Sequence, residues 1–188
     1  ENYRMALQLQ DDLKEARERL ANLFMQQKKY DAALDLYQSA IANDSTHLNY
    51  WLQISEIYRN QNDTSRTIAT LQAIKERFPK DWRGYLNLGR LYLDLAYDVK
   101  AYHEFKQVIQ LKPDIVWGWL FMGYTQMNLD SLKASKTVLE QALEVSPDEP
   151  LANYYLGLVL NQMNRDAAAI PYFEKALSLR PNWVRVLS

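Results

Sequence analysis

The 188-residue chain contains no cysteine, only two histidines and five glycines, and its formal net charge is −1. The missing cysteine excludes disulfides, thiolate nucleophiles and cysteine-ligated metals. It fits the cytosol and a bacterial periplasm equally, so it fixes no compartment. His47 and His103 stand far apart, with no HExxH arrangement around them and no glycine-rich phosphate loop elsewhere. They are expected to be solvated, His47 in a linker and His103 on the outer part of a helix, and no catalytic residue, metal or cofactor is expected. The 22 Lys+Arg are interspersed with 23 Asp+Glu, which argues against a nucleic-acid surface. No apolar run approaches the roughly 20 residues of a membrane-spanning helix, so direct membrane insertion is not expected.

What the chain does contain is an internal repeat. Pro79, Pro113, Pro147 and Pro181 recur every 34 residues, and the columns between them agree in size and polarity. Ala21, Ser55, Gly89, Gly123 and Gly157 form one small column, and Ala33, Thr67, Ala101, Ser135 and Ala169 another. Leu20, Ile54, Leu88, Met122 and Leu156 form a large apolar one. Glycine inside a helix costs about 1 kcal/mol relative to alanine, so three in one column imply close helix packing, expected between the two small columns. The pattern predicts helices near 13–27, 31–43, 47–60, 65–78, 82–95, 98–111, 115–128, 132–145, 150–162 and 166–179. Asp12 with Glu15 reads as a capping box, and the carboxylates of Asp11, Asp12, Asp148 and Glu149 as helix-start complements to the dipole. Pro150 falls at a first helical position, whereas Pro171 falls inside a helix and removes a hydrogen bond. Asn62, Asp130 and Asn164 share a column at helix-to-helix turns and tolerate the left-handed conformation expected there.

These residues resemble the tetratricopeptide repeat (TPR) family, most closely in Leu88-Gly89, Tyr92, Ala101, Phe105 and Pro113, and again in Leu156-Gly157. The resemblance implies an all-α, right-handed superhelical solenoid of antiparallel helix pairs. The expected organisation is one domain over 1–188: a half-repeat 1–13, repeats 14–47, 48–81, 82–115, 116–149 and 150–183, and the start of a further helix at 184–188. Tyr3 and Ala6 repeat the spacing of Tyr37 and Ala40, and the tail from Trp183 aligns with the start of a first helix, so the array is expected to continue past both ends. The family pattern is broken where Arg17 and Asn153 replace an aromatic, where Ser45 replaces proline, and where Ile74 and Phe78 are bulky enough to turn their helix.

The family's usual use implies a non-catalytic protein-interaction scaffold or adaptor that holds a protein or peptide in the concave wall of first helices. Two other readings are a substrate-recruiting region of a larger enzyme and a structural protein that self-associates through uncapped ends. A chaperone-tail clamp is rejected, since Glu18 stands where lysine is needed and Leu86, Arg90 and Phe121 do not complete the set. The asparagine ladder of sugar-transferase relatives is absent too, its column reading Arg19, Gln53, Asn87, Phe121 and Tyr155. The wall begins polar with Glu15, Glu18, Asn22 and Gln26, and continues through Asn49, Leu52, Glu56 and Arg59. It ends apolar, with Trp117, Leu120, Tyr124, Met127, Leu151, Tyr154 and Leu158. Those seven residues, with Arg59, Arg83 and Arg90 as receivers of acidic groups, are the candidate groove for a partner of unknown identity. A plainer reading pairs Glu56 with Arg59 and Arg90 with Asp94 along their helices and packs the large residues repeat on repeat.

Overall fold

The computed structural model describes residues 14–43 and 45–181, and every regular element among them is helical. The order is α1 (Lys14–Gln26), α2 (Tyr30–Asn43), α3 (Leu48–Asn60), α4 (Thr64–Arg77), α5 (Trp82–Asp94), α6 (Asp98–Leu111), α7 (Val116–Asn128), α8 (Leu132–Val145), α9 (Pro150–Gln162) and α10 (Asp166–Leu179). The expected Asp11-Asp12 caps, the half-repeat at Tyr3 and Ala6 and the helix start at 184–188 lie outside the described residues. The chain divides between Pro79 and Lys80 into two compact units, α1–α4 and α5–α10.

Both kinds of turn follow from backbone chemistry. Two residues past the ends of the odd helices α1, α3, α5, α7 and α9 stand Lys28, Asn62, Ala96, Asp130 and Asn164, all with φ between 55° and 58° and none of them glycine. At each, the next residue donates its N–H five residues back, as in Asp63 to Tyr58 O at 2.9 Å and Tyr97 to Tyr92 O at 2.8 Å. That is the Schellman closure, which needs one residue in the left-handed region. Three of the other turns are set by proline. Phe78, Lys112 and Ser146 precede Pro79, Pro113 and Pro147, and their ψ of 60°, 75° and 92° lies outside the helical region that a following proline disfavours. The next helix is then tied to the turn. Trp51 Nε1 donates to Ser45 O at 3.2 Å and Trp119 Nε1 to Pro113 O at 2.7 Å. Asn153 Nδ2 reaches the equivalent Pro147 O at 3.3 Å. Asn153 therefore departs from the aromatic column in shape and keeps its hydrogen bond.

In the first unit Leu20, Ala21, Phe24, Ala33, Tyr37, Ala40, Tyr50, Ile54, Ile57 and Tyr58 form one buried cluster. In the second, Leu120, Leu139, Ala142, Ala152, Leu156, Val159, Leu160 and Ala169 form another. The small column meets larger neighbours than expected. A Cβ on Gly89 would lie 2.6 Å from Phe105 Cε1, on Gly123 2.5 Å from Leu139 Cγ, and on Gly157 2.7 Å from Phe173 Cε1. These glycines make room for a large side chain sixteen residues on, and the two small columns also touch, Ser135 Oγ donating to Gly123 O at 2.7 Å. Ile74 is fully buried in the same column as Ala40, Val108, Ala142 and Ala176, so its bulk leaves that helix face inward. Pro150 occupies the first turn of α9, and Pro171 sits inside α10.

Candidate functional site

In the second unit each helix packs on its chain neighbours, and α7 also touches α5 and α9, so these three stand side by side. Trp117, on the first turn of α7, is 38% exposed. Its ring stacks on Phe121 with centroids 6.0 Å apart, and Phe121 stacks on the fully buried Phe105 at 5.4 Å. The Arg90 guanidinium of α5 lies over Phe121, 5.7 Å from its centroid. A second aromatic group follows. Tyr124 of α7 packs on Tyr155 of α9 at 4.8 Å, Tyr154 on Tyr155 at 5.5 Å, and Tyr154 on Phe173 at 6.1 Å. Burial, then the neighbouring Tyr124 and Tyr154 hydroxyls, push the Tyr155 hydroxyl above its ordinary range.

The ten residues singled out in the sequence divide into distinct groups. Trp117 is exposed and Tyr124, Tyr154 and Leu158 are half-buried, which leaves each a surface to offer. Leu120 is corrected: it is fully buried in the core of the second unit beside Leu139, Ala142 and Leu156, and presents nothing to a partner. Met127 and Leu151 are half-buried and pack against the same core. Arg83 is engaged, its guanidinium 2.8 Å from Asp81 Oδ2 while Asp81 also accepts the Arg83 backbone N–H at 3.0 Å and so caps α5. These bonds, led by that of the guanidinium, hold the Asp81 carboxyl below its usual range. Arg59 belongs to the first unit and pairs with Glu56 at 2.9 Å, as the plainer reading expected. Arg90 differs from that reading, with an aromatic neighbour in place of Asp94.

Phe121 and Tyr155 are the residues that sequence reasoning missed. Both belong to a column that is polar in the first three copies, Arg19, Gln53 and Asn87. The switch of that column to aromatic was the available signal.

Among the described residues no cluster of His, Asp or Glu could hold a metal ion, and no helix is long and apolar enough to cross a membrane. His103 is exposed as expected; His47 is corrected to half-buried, its ring 4.4 Å from that of Tyr50. Glu149 caps α9 through the Leu151 N–H at 3.2 Å, and Asp148 pairs with Lys175 at 2.7 Å, so both acids have structural work.

Comparison with known proteins places this geometry among others of its kind. The chain is 26% identical over 200 residues to a peroxisomal targeting signal receptor of Candida albicans, an alignment covering 84% of this chain and 34% of that receptor. The chain thus spans about a third of that relative's length. Among solved structures it is similar to MamA 41-end from Desulfovibrio magneticus RS-1, with a TM-score of 0.75 and 14% identity over 90% of this chain and 96% of that one. It is similar also to YrrB, described as a TPR protein with an unusual peptide-binding site, with a TM-score of 0.71 and 16% identity over 100% of this chain and 96% of that one. At such identities the likeness speaks for the solenoid fold alone. Three family profiles, each described as tetratricopeptide repeat, match residues 24–91, 83–115 and 122–182. With the 34-residue columns, the helix pairs and these matches in agreement, the chain belongs to the tetratricopeptide repeat family.

Proposed function

We propose that the chain is a non-catalytic scaffold whose second unit holds a peptide or short amphipathic helix against α5, α7 and α9. The observation that carries this reading is the Trp117–Phe121 stack, open at Trp117 and flanked by a guanidinium that lies on a ring. An exposed aromatic anchored on a core ring gives a ligand a rigid apolar contact at low entropic cost, the kind of group that dominates binding energy. Arg90 beside it favours an occupant that presents a large apolar side chain next to a carboxylate. Tyr124, Tyr154 and Leu158 extend the surface, with Met127 and Leu151 as support from beneath.

The test is to pan a displayed random-peptide library on the full chain and to titrate enriched peptides against variants. Peptides with an aromatic or leucine beside an acid should emerge, and Trp117→Ala or Tyr124→Ala should weaken them by about 2 kcal/mol, or roughly thirtyfold. Selected peptides that bind the double variant normally would remove the groove and leave only the scaffold. A self-assembling role has one observation of its own: Ile170 and Leu177, seven residues apart on α10, are 54% and 43% exposed. Sedimentation over a concentration range tests it, a constant monomer mass being the negative result.

A further inference from the structure

In the first unit, residues of α1, α2 and α3 enclose a cleft of about 240 Å³ lined by Glu18, Asn22, Tyr37, Asn49, Tyr50 and Gln53. Every one of these side chains carries a polar group, unlike the aromatic wall of the second unit. Tyr37 and Tyr50 form the floor, 1% and 3% exposed with ring centroids 5.9 Å apart. Glu18 forms no ion pair with another described residue, and the nearby Arg19 is held by Glu15 at 2.6 Å. The Glu18 charge acts on this cleft: burial first, then Glu18, then Tyr50 push the Tyr37 hydroxyl up to about 12.

The lining selects the chemistry of an occupant. An anion would be repelled by Glu18, and an apolar group would leave the carboxylate without a partner. A cation rich in donors meets the Glu18 oxygens and the amide oxygens of Asn22 and Gln53. A guanidinium matches this better than a compact ammonium, because its planar fork offers five donors to a lining of several acceptor oxygens. We propose that this cleft is a binding site for an organic cation, an arginine side chain of an extended peptide being the occupant it fits best. The site lies in the first unit and does not rest on the groove proposed for the second.

The full chain, isotope-labelled, would be titrated with acetyl-Gly-Arg-Gly-amide while the side-chain amide resonances of Asn22, Asn49 and Gln53 are followed. Saturable shifts are expected, about tenfold weaker or more for the citrulline peptide, which keeps the shape and loses the charge. Glu18→Gln should cost a similar factor, Tyr37→Phe a smaller one, and Gln53→Glu should tighten binding, a gain that damage to the fold would not produce. Binding of n-butylguanidinium as tight as that of the peptide would support the cation site and assign it to a free amine-like ligand. Equal shifts with the citrulline peptide, unchanged binding by Glu18→Gln, or no saturation below about 10 mM would overturn the proposal.

Discussion

Gly123 offers the sharpest check on the packing, because two known effects oppose each other there. Alanine in place of glycine inside a helix gains about 1 kcal/mol. At this position the new Cβ would lie 2.5 Å from Leu139 Cγ and 2.7 Å from Leu139 Cδ2, and Leu139 is fully buried with no room to retreat. Overpacking of this kind costs about 1–3 kcal/mol, so Gly123→Ala should destabilise α7 and α8 by a net amount of about 0–2 kcal/mol. Leu139→Ala alone should cost about 2–5 kcal/mol through the cavity it leaves. In the double variant the methyl at 123 enters that vacated volume, and the combined loss should fall short of the sum by about 1–2 kcal/mol. Native-state hydrogen exchange of α7 and α8 amides is the suitable assay, since a repeat array in two units need not unfold in one step. Additivity within about 0.5 kcal/mol, or a net gain from Gly123→Ala, would refute the close approach.

Ala96 holds a left-handed φ of 56° that penalises a Cβ, so Ala96→Gly should raise stability by about 0.5–1 kcal/mol in a urea melt. Gln126 is 8% exposed and its Oε1 has no partner, in a column occupied by Phe24, Tyr58, Tyr92 and Leu160. Gln126→Leu should therefore stabilise the second unit by about 1 kcal/mol, and a loss would mean the acceptor is satisfied in solution. The depressed Asp81 carboxyl contributes stability present above its unfolded value near 4 and lost as pH falls through its lower folded value. Asp81→Ala should cost about 1 kcal/mol at neutral pH by removing the cap of α5, and should flatten the loss of stability as pH falls below about 4.

Helix order was legible because several signals agreed at each boundary. Asp98–Leu111, Leu132–Val145, Pro150–Gln162 and Asp166–Leu179 fall where the periodicity put them, and the remaining described helices lie within a residue of it. Asn62, Asp130 and Asn164 announced left-handed turns through their side chains, whereas Lys28 and Ala96 gave no such sign and were readable only from their column. The site was harder to read for a physical reason. α7 packs against α6 and α8 and also touches α5 and α9, so apolar residues surround it and no polar face fixes the phase of its stripe. Leu120 lies within the apparent surface run from Trp117 to Met127 yet points into the core. Arg83 looked available because its acid, Asp81, stands before the helix and outside the i,i+3 and i,i+4 spacing, whereas that spacing did pair Arg59 with Glu56.

The continuous stack from Trp117 through Phe121 to Phe105 joins the solvent to the interior in three rings. A ligand seated on the outermost ring would be in mechanical contact with the foundation of α6 and α7, and recognition there could not be separated from rigidity. An occupant that favours the folded unit stabilises it in proportion to its occupancy, about 2.7 kcal/mol at a hundred times its dissociation constant. Thermal shift would then serve as a direct gauge of ligand quality. Trimming Phe121 would erode affinity and foundation together, which makes Trp117, at the free end of the stack, the position where the two can be told apart.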